Sequence, residues 1–257
     1  MFNPHRVFGS LFLFIPLLGL TLVSGVVGQD SNGWDVTVPR GNTREVEFTT
    51  REGTWMSVDV SPDGEWVVFD LLGHVYRVES GGGNATPLTQ ESGIAVNFHP
   101  RFSPDGELIA FVSDRAGQNN LWVMNADGSN PRPVMEDQTV RVVEPSWTAD
   151  GEYIVVRRRQ LGGQGGSGIW MYHRDGGQGI ELVGDEVENP SWPSPSVDGR
   201  YLYFHVSTPG QGVAFADGER DALQGAYNIR RMDLQTGEIT SVTHGEPSRQ
   251  YRLSSGG

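Results

Sequence analysis

Ser103-Pro104-Asp105-Gly106 opens the stretch SPDGELIAFVSDRAGQNNLWVMNADG, residues 103–128, and reading it decides the fold. Asp-Gly marks a tight turn, because Gly supplies a positive φ at no steric penalty and Asp caps the turn. Glu107 to Val112 then reads as a strand, Asn119 to Met124 as a second, and after another turn at Asp127-Gly128 a short outer strand runs around Pro131 to Met135. The same tetrapeptide recurs as Ser61-Pro62-Asp63-Gly64, Thr148-Ala149-Asp150-Gly151 and Ser196-Val197-Asp198-Gly199, at spacings of 42, 45 and 48 residues. A period in the forties with Asp-Gly turns is the span of one four-stranded propeller blade.

Working outward, the first unit repeats the scheme with Glu65 to Leu71, His74 to Glu79 and Ala85 to Thr89. The third has Glu152 to Arg157, Ile169 to His173 and Ile180 to Val183, and the fourth Arg200 to Val206, Tyr227 to Asp233 and Glu238 to Thr243. The expected fold is all-β, a β-propeller of four-stranded antiparallel blades at about 54–90, 97–136, 142–184 and 190–244. A fifth blade begins at 250–257, where Ser254-Ser255-Gly256-Gly257 stands in place of a turn. Residues 29–53 form an N-terminal segment whose Arg44 to Gly53 stretch reads as an outer closing strand. Four blades and the opening of a fifth form an incomplete ring; a closed four-bladed ring with a tail is the alternative. Trp55, Phe69, Phe102, Phe111, Trp147 and Tyr203 are the aromatics expected to pack between blades.

With 35 Gly, 15 Pro and 37% hydrophobic residues, the composition suits short strands and tight turns better than long helices. Residues 1–28 read as a signal peptide: His5 and Arg6, an apolar run from Val7 to Val23, then Val26 and Gly28 ahead of a cut before Gln29. An uncleaved anchor is the alternative, and no later stretch is apolar enough to span a bilayer. The expected location is periplasmic or secreted. There is no cysteine and no lysine, and the net charge is −13, so nucleic acid and anionic membrane surfaces are excluded as partners. The run Arg157 to Arg159 reads as a solvated strand edge.

The turn followed by Phe111-Val112-Ser113-Asp114-Arg115 and by Asn120 to Gly128 resembles the TolB-like propeller repeat, over roughly residues 34–257. Glu52 to Val60 and Val68 to Tyr76 look most like the N-terminal propeller of secreted amidohydrolases. That resemblance implies a metal-dependent catalytic domain downstream, absent from this chain, so no catalytic residue has a position here to be carried onto. Tol-type envelope scaffolds and the gating propellers of prolyl-oligopeptidase-type serine peptidases carry similar repeats.

Catalytic motifs are not found. Gly163 to Gly168 has the letters of a dinucleotide fingerprint but joins two strands, so it reads as a loop. The six histidines, His5, His74, His99, His173, His205 and His244, show no ligand spacing. Asp63, Asp105, Asp150 and Asp198 each stand alone before a Gly, and no Gly-x-Ser-x-Gly elbow occurs. No metal and no cofactor are expected. Counting four residues back from each turn gives Ser57, His99, Glu144 and Trp192, with Gln250 as the fifth. These positions begin the innermost strands and converge on one mouth of the central channel, a candidate site for a peptide, polymer or protein ligand.

Overall fold

The structure is a computed structural model that describes residues 35–44, 46–162, 166–208 and 226–243. The signal-peptide segment 1–28, Gln250 and the fifth-blade segment 250–257 lie outside the described residues, as do His5, His244 and residues 163–165 of the Gly163 to Gly168 loop.

Four four-stranded antiparallel sheets follow one another along the chain, each with its strands in sequence order. The first holds β1 (Val58–Val60), β2 (Trp66–Leu71), β3 (His74–Glu79) and β4 (Thr86–Pro87); the second holds β5 (Asn97–Phe102), β6 (Leu108–Ser113), β7 (Asn120–Asn125) and β8 (Arg132–Pro133). The third holds β9 (Val140–Trp147), β10 (Tyr153–Gln160), β11 (Ser167–His173) and β12 (Ile180–Val183); the fourth holds β13 (Ser191–Pro195), β14 (Tyr201–Thr208), β15 (Ala226–Asp233) and β16 (Ile239–Ser241). Among the described residues the only helical element is one 3-10 turn, Gln90–Ser92.

Each sheet is anchored at its Asp-Gly turn by the same three bonds. Ser61 Oγ donates to Asp63 Oδ1, which also accepts the Glu65 N–H at 3.0 Å, while Ser61 Oγ accepts the Trp66 N–H at 2.9 Å. The set recurs around Ser103 and Asp105, Thr148 and Asp150, and Ser196 and Asp198. The following glycines hold φ of 76°, 75°, 70° and 68°, where a β-carbon is strained. A hydroxyl, a carboxylate and a glycine are therefore required, and the second position is not: it holds Pro62, Pro104, Ala149 and Val197.

These bonds hold Asp63, Asp150 and Asp198 below the usual carboxylate range, the Ser or Thr hydroxyl contributing most. At Asp105 burial pushes upward and is outweighed by Ser103, the Glu107 N–H and Arg174. Carboxylates depressed in the folded state stabilise it above their unfolded pKa, and that contribution disappears as pH falls through the folded values.

The core lies between sheets. Val68 and Val75 of the first pack on Phe102, Ile109, Phe111 and Met124 of the second. Ala110, Leu121 and Val123 pack on Val142, Trp147, Ile154 and Val156 of the third; Val155 and Ile169 pack on Leu202, Phe204 and Val206 of the fourth. Alternate residues of a strand face opposite sides. The unbroken apolar run Leu108 to Val112 thus belongs to a strand covered on both faces.

Of the aromatics expected between blades, Phe102, Phe111 and Trp147 are buried there, while Phe69 and Tyr203 are half-buried. Trp55 is a correction: it is wholly exposed at 101%, because it precedes β1 at a φ of 60° and lies outside the sheet. A closing strand is expected within Arg44 to Gly53. Described residues of that stretch are exposed and lie in no strand. The outer strands β4 and β8 are shorter than expected, two residues each ending in Pro87 and Pro133, which offer no N–H for further pairing.

Removing the Ser103 hydroxyl strands the half-buried Leu108 N–H. Ser103→Ala should reduce unfolding free energy by about 1–3 kcal/mol. Ala149→Pro, at the position the turn leaves free, should change it by less than about 0.5 kcal/mol. Denaturant unfolding checks both, and an unchanged midpoint for Ser103→Ala would refute the role given to the turn.

Candidate functional site

Every inner strand after the first is interrupted at the position expected to line the mouth. Register shifts fall between Phe98 and Arg101 in the second sheet, opposite Val155 and Arg157 in the third, and between Ser191 and Ser194 in the fourth. His99, Glu144 and Trp192 sit at those breaks with φ of 54°, 61° and 51°. Each precedes a proline, Pro100, Pro145 and Pro193, which cannot donate to the ladder, so a bulge forms there. In the first sheet Val58 replaces the proline, and β1 pairs with β2 in unbroken register from Val58 to Val60.

The bulges free backbone N–H groups, and side chains from the preceding blade take them up. Asp70 Oδ1 accepts the Ser57 N–H at 3.1 Å within its own blade, and Asp70 Oδ2 accepts the His99 N–H at 2.8 Å. His99 Nδ1 accepts the Glu144 N–H at 3.2 Å, and Glu144 Oε2 accepts the Trp192 N–H at 2.6 Å. The relay stops at Trp192, whose side chain has no acceptor. Its indole is 44% exposed and lies 5.6 Å from the His99 ring, centroid to centroid. The structure therefore brings together His99, Glu144 and Trp192, and joins Ser57 to them through Asp70 and through Arg101, whose Nη1 lies 3.3 Å from Ser57 Oγ.

The residues that sequence reasoning missed stand beneath this ring. Asp70 and Arg157 each fall nine residues after the turn serine or threonine, on the second strand of their blades, so counting forward as well as back would have found them. Arg157 Nη1 is 3.6 Å from Glu144 Oε1, and its Nε donates to Ser167 Oγ at 2.9 Å. Arg158 lies 3.9 Å over the Trp170 ring and 3.6 Å from Asp137. Two of the three arginines expected on a solvated edge are thus engaged, because the long β10 carries them inward against neighbouring groups. Burial pushes Glu144 up, against the opposing Trp192 N–H and Arg157. It also pushes Asp59 and Asp70 up, against backbone N–H donors and Arg101. Burial and, secondarily, Arg101 lower His99 to about 4, so it is neutral near pH 7 with Nδ1 as acceptor and Nε2 carrying the proton.

The other histidines do not join this group. His74 Nδ1 bonds Thr89, and His173 lies beside Tyr153 and Glu152 on another strand. His205 Nε2 is buried without a hydrogen-bond partner. Among the described residues, no three His, Asp or Glu side chains are placed to hold a metal ion. What the arrangement offers is a rigid polar ring with one exposed aromatic face.

Residues 35–222 match the sequence family described as the TolB beta propeller domain. The chain belongs to that family. It is 37% identical over 83 residues to the uncharacterized peptidase YuxL of Bacillus subtilis, covering 32% of this chain and 12% of that one. It is 29% identical over 133 residues to tricorn protease homolog 1 of Streptomyces coelicolor, covering 50% of this chain and 12% of that one. The structure of TolB from Acinetobacter baumannii superposes with a TM-score of 0.56 at 18% identity, over 73% of this chain and 43% of TolB, a likeness of fold. The chain thus spans well under two thirds of these proteins.

A TolB-family chain with a depressed His99 has a defined acid response. Unfolded, the imidazole protonates below about 6.5; folded, it resists until about 4. Its contribution to stability is therefore complete above the unfolded pKa and is lost as pH falls between those values. Raised Glu144, Asp59 and Asp70 act in the opposite sense, and burial lowers His205 as well. His99→Asn keeps an acceptor and tolerates positive φ. Its acid destabilisation between pH 6.5 and 4 should be shallower than that of the wild type in thermal melts; parallel curves would contradict the assignment.

Proposed function

We propose that this TolB-family propeller is a non-catalytic module that binds or gates an extended peptide at the mouth formed by Ser57, His99, Glu144 and Trp192. The observation that carries this reading is Trp192, an aromatic side chain 44% exposed on a backbone held by Glu144 and braced against His99. A rigid aromatic face amid fixed polar groups suits ligand contact, because little side-chain entropy is lost on binding. The charged groups beside it, Glu144 and Arg157, lie 3.6 Å apart, and the buried Glu144 is engaged by the Trp192 N–H and by that arginine.

Two relatives described as a peptidase and a tricorn protease homolog support peptide over other polymers, and favour a role beside a peptidase over one beside an amidohydrolase. A second reading, an envelope scaffold that binds a protein partner, is supported by the fold shared with TolB. An extracytoplasmic location accompanies both readings and rests on the apolar segment Val7 to Val23.

Fluorescence anisotropy with labelled peptides of varied sequence, and with labelled oligogalacturonate as a non-peptide control, tests the proposal. Trp192→Ala should weaken peptide binding by about tenfold or more, roughly 1.4 kcal/mol. Val197→Asp, at an exposed turn position, should leave it unchanged. Peptide affinity indifferent to Trp192, or preference for the oligosaccharide, would defeat the peptide reading.

A further inference from the structure

A cavity of about 190 Å3 opens at the seam between the first and second blades, at the turn end of the inner strands and so away from the mouth. Asp63, Trp66 and Arg77 of the first blade and Phe102, Asp105 and Ala126 of the second line it. A single water needs only about 10–15 Å3. The repeat shows why the space is there. The Ala126 N–H bonds the Glu107 carbonyl as the Arg174 N–H bonds that of Glu152, so Ala126 stands in the second blade where Arg174 stands in the third. At the next seam Arg174 Nη1 donates to the Gly151 carbonyl at 3.4 Å, and Nη2 lies 3.5 Å from Glu152. Burial pushes Asp105 up, and the Arg174 charge across that seam is among the forces that bring it down. Counted from the turn, the same three partners at the first seam are the Gly106 carbonyl, Glu107 and Asp63. The methyl group of Ala126 supplies no donor to them.

We infer that this cavity takes up the guanidinium of an arginine carried on a bound peptide, in the role that Arg174 plays at the second seam. Arg77 has a different part. It lies 4.2 Å over the Trp66 ring and donates from Nη1 to the Ala126 carbonyl at 2.8 Å, while at the next seam Arg132 donates likewise to the Arg174 carbonyl at 2.6 Å. Arg77 therefore does the work of Arg132, and the second seam holds Arg132 and Arg174 together. At the third seam Leu234, whose N–H bonds the Arg200 carbonyl, has the same position and packs on the core. The first seam is thus the one of the three where the position carries neither a cation nor a bulky apolar group. Asp63, Asp105 and Glu107 against Arg77 leave it acidic, on a chain of net charge −13, so a basic group is drawn in. A planar guanidinium fits paired carbonyl and carboxylate acceptors better than an ammonium does. Arg77 Nε is buried with no hydrogen-bond partner among the described residues. A peptide brings carbonyl acceptors along with its arginine, which favours it over a free cation.

The nuclear magnetic resonance signal of the Trp66 indole N–H, identified by its loss in Trp66→Phe, reads the cavity. A blocked Gly-Arg-Gly tripeptide should shift that signal saturably at low ionic strength. The same tripeptide with citrulline for arginine, equal in shape but uncharged, should bind roughly tenfold more weakly. Ala126→Arg gives the first seam the side chain that the second already carries: circular dichroism should stay native and the peptide shift should vanish. Glu107→Gln, at an exposed side chain, should weaken binding about threefold and decides the matter if Ala126→Arg fails to fold. Guanidinium ion alone that binds as tightly as the tripeptide would overturn the peptide as the source of the group. No shift with the arginine tripeptide, or binding that neither substitution reduces, would overturn the inference. Binding lost in Trp192→Ala but kept in Ala126→Arg would overturn it too, by placing the peptide at the mouth.

Discussion

The hydrogen bond from a serine or threonine hydroxyl to the aspartate two residues on constrains most of this structure. It is made four times, at Ser61, Ser103, Thr148 and Ser196, and each time the same hydroxyl receives the N–H five residues ahead. The bond locks the register between the first two strands of a blade. A slip of one residue would turn every side chain to the opposite face. With register locked, residues at one distance from the turn occupy one place in every blade, and both the core between sheets and the mouth follow.

The mouth is strained and well held. Three non-glycine residues ahead of prolines adopt left-handed backbone, a conformation with a penalty of about 1–3 kcal/mol each. Bonds from Asp70, His99 and Glu144 to the N–H groups at those positions offset it. Such strain placed where polar side chains converge is the pattern expected of a site that must keep its shape. The acidic and imidazole groups serve this geometry, and their shifted titration follows from burial.

Much of this was legible in the residues. The Ser/Thr-x-Asp-Gly repeat located all four turns, and His74–Glu79 and Ile180–Val183 were bounded as found, because Gly, Asp and β-branched residues act locally. Counting from the turn placed His99, Glu144 and Trp192 together. The relay among them was not legible: it depends on bulges at Pro100, Pro145 and Pro193 and on Asp70, which lies on a different strand from the group it serves. Arg157 read as solvated because the charge run shows nothing of Glu144 opposite. Trp55 read as core because hydrophobicity alone does not say where a sheet begins.

The relay has a direction. Asp70 serves His99, Asp59 serves Phe102, His99 serves Glu144 and Glu144 serves Trp192, so in every case an earlier blade holds the acceptor and a later blade brings the donor. Trp147 follows suit, its indole N–H reaching back to the Arg101 carbonyl. A chain built from its N-terminus therefore meets each of these acceptors already in position, whereas Arg77 and Arg132 donate forward to carbonyls of the blade that follows. Assembly can proceed as a vectorial zipper in which every blade is the template for the next.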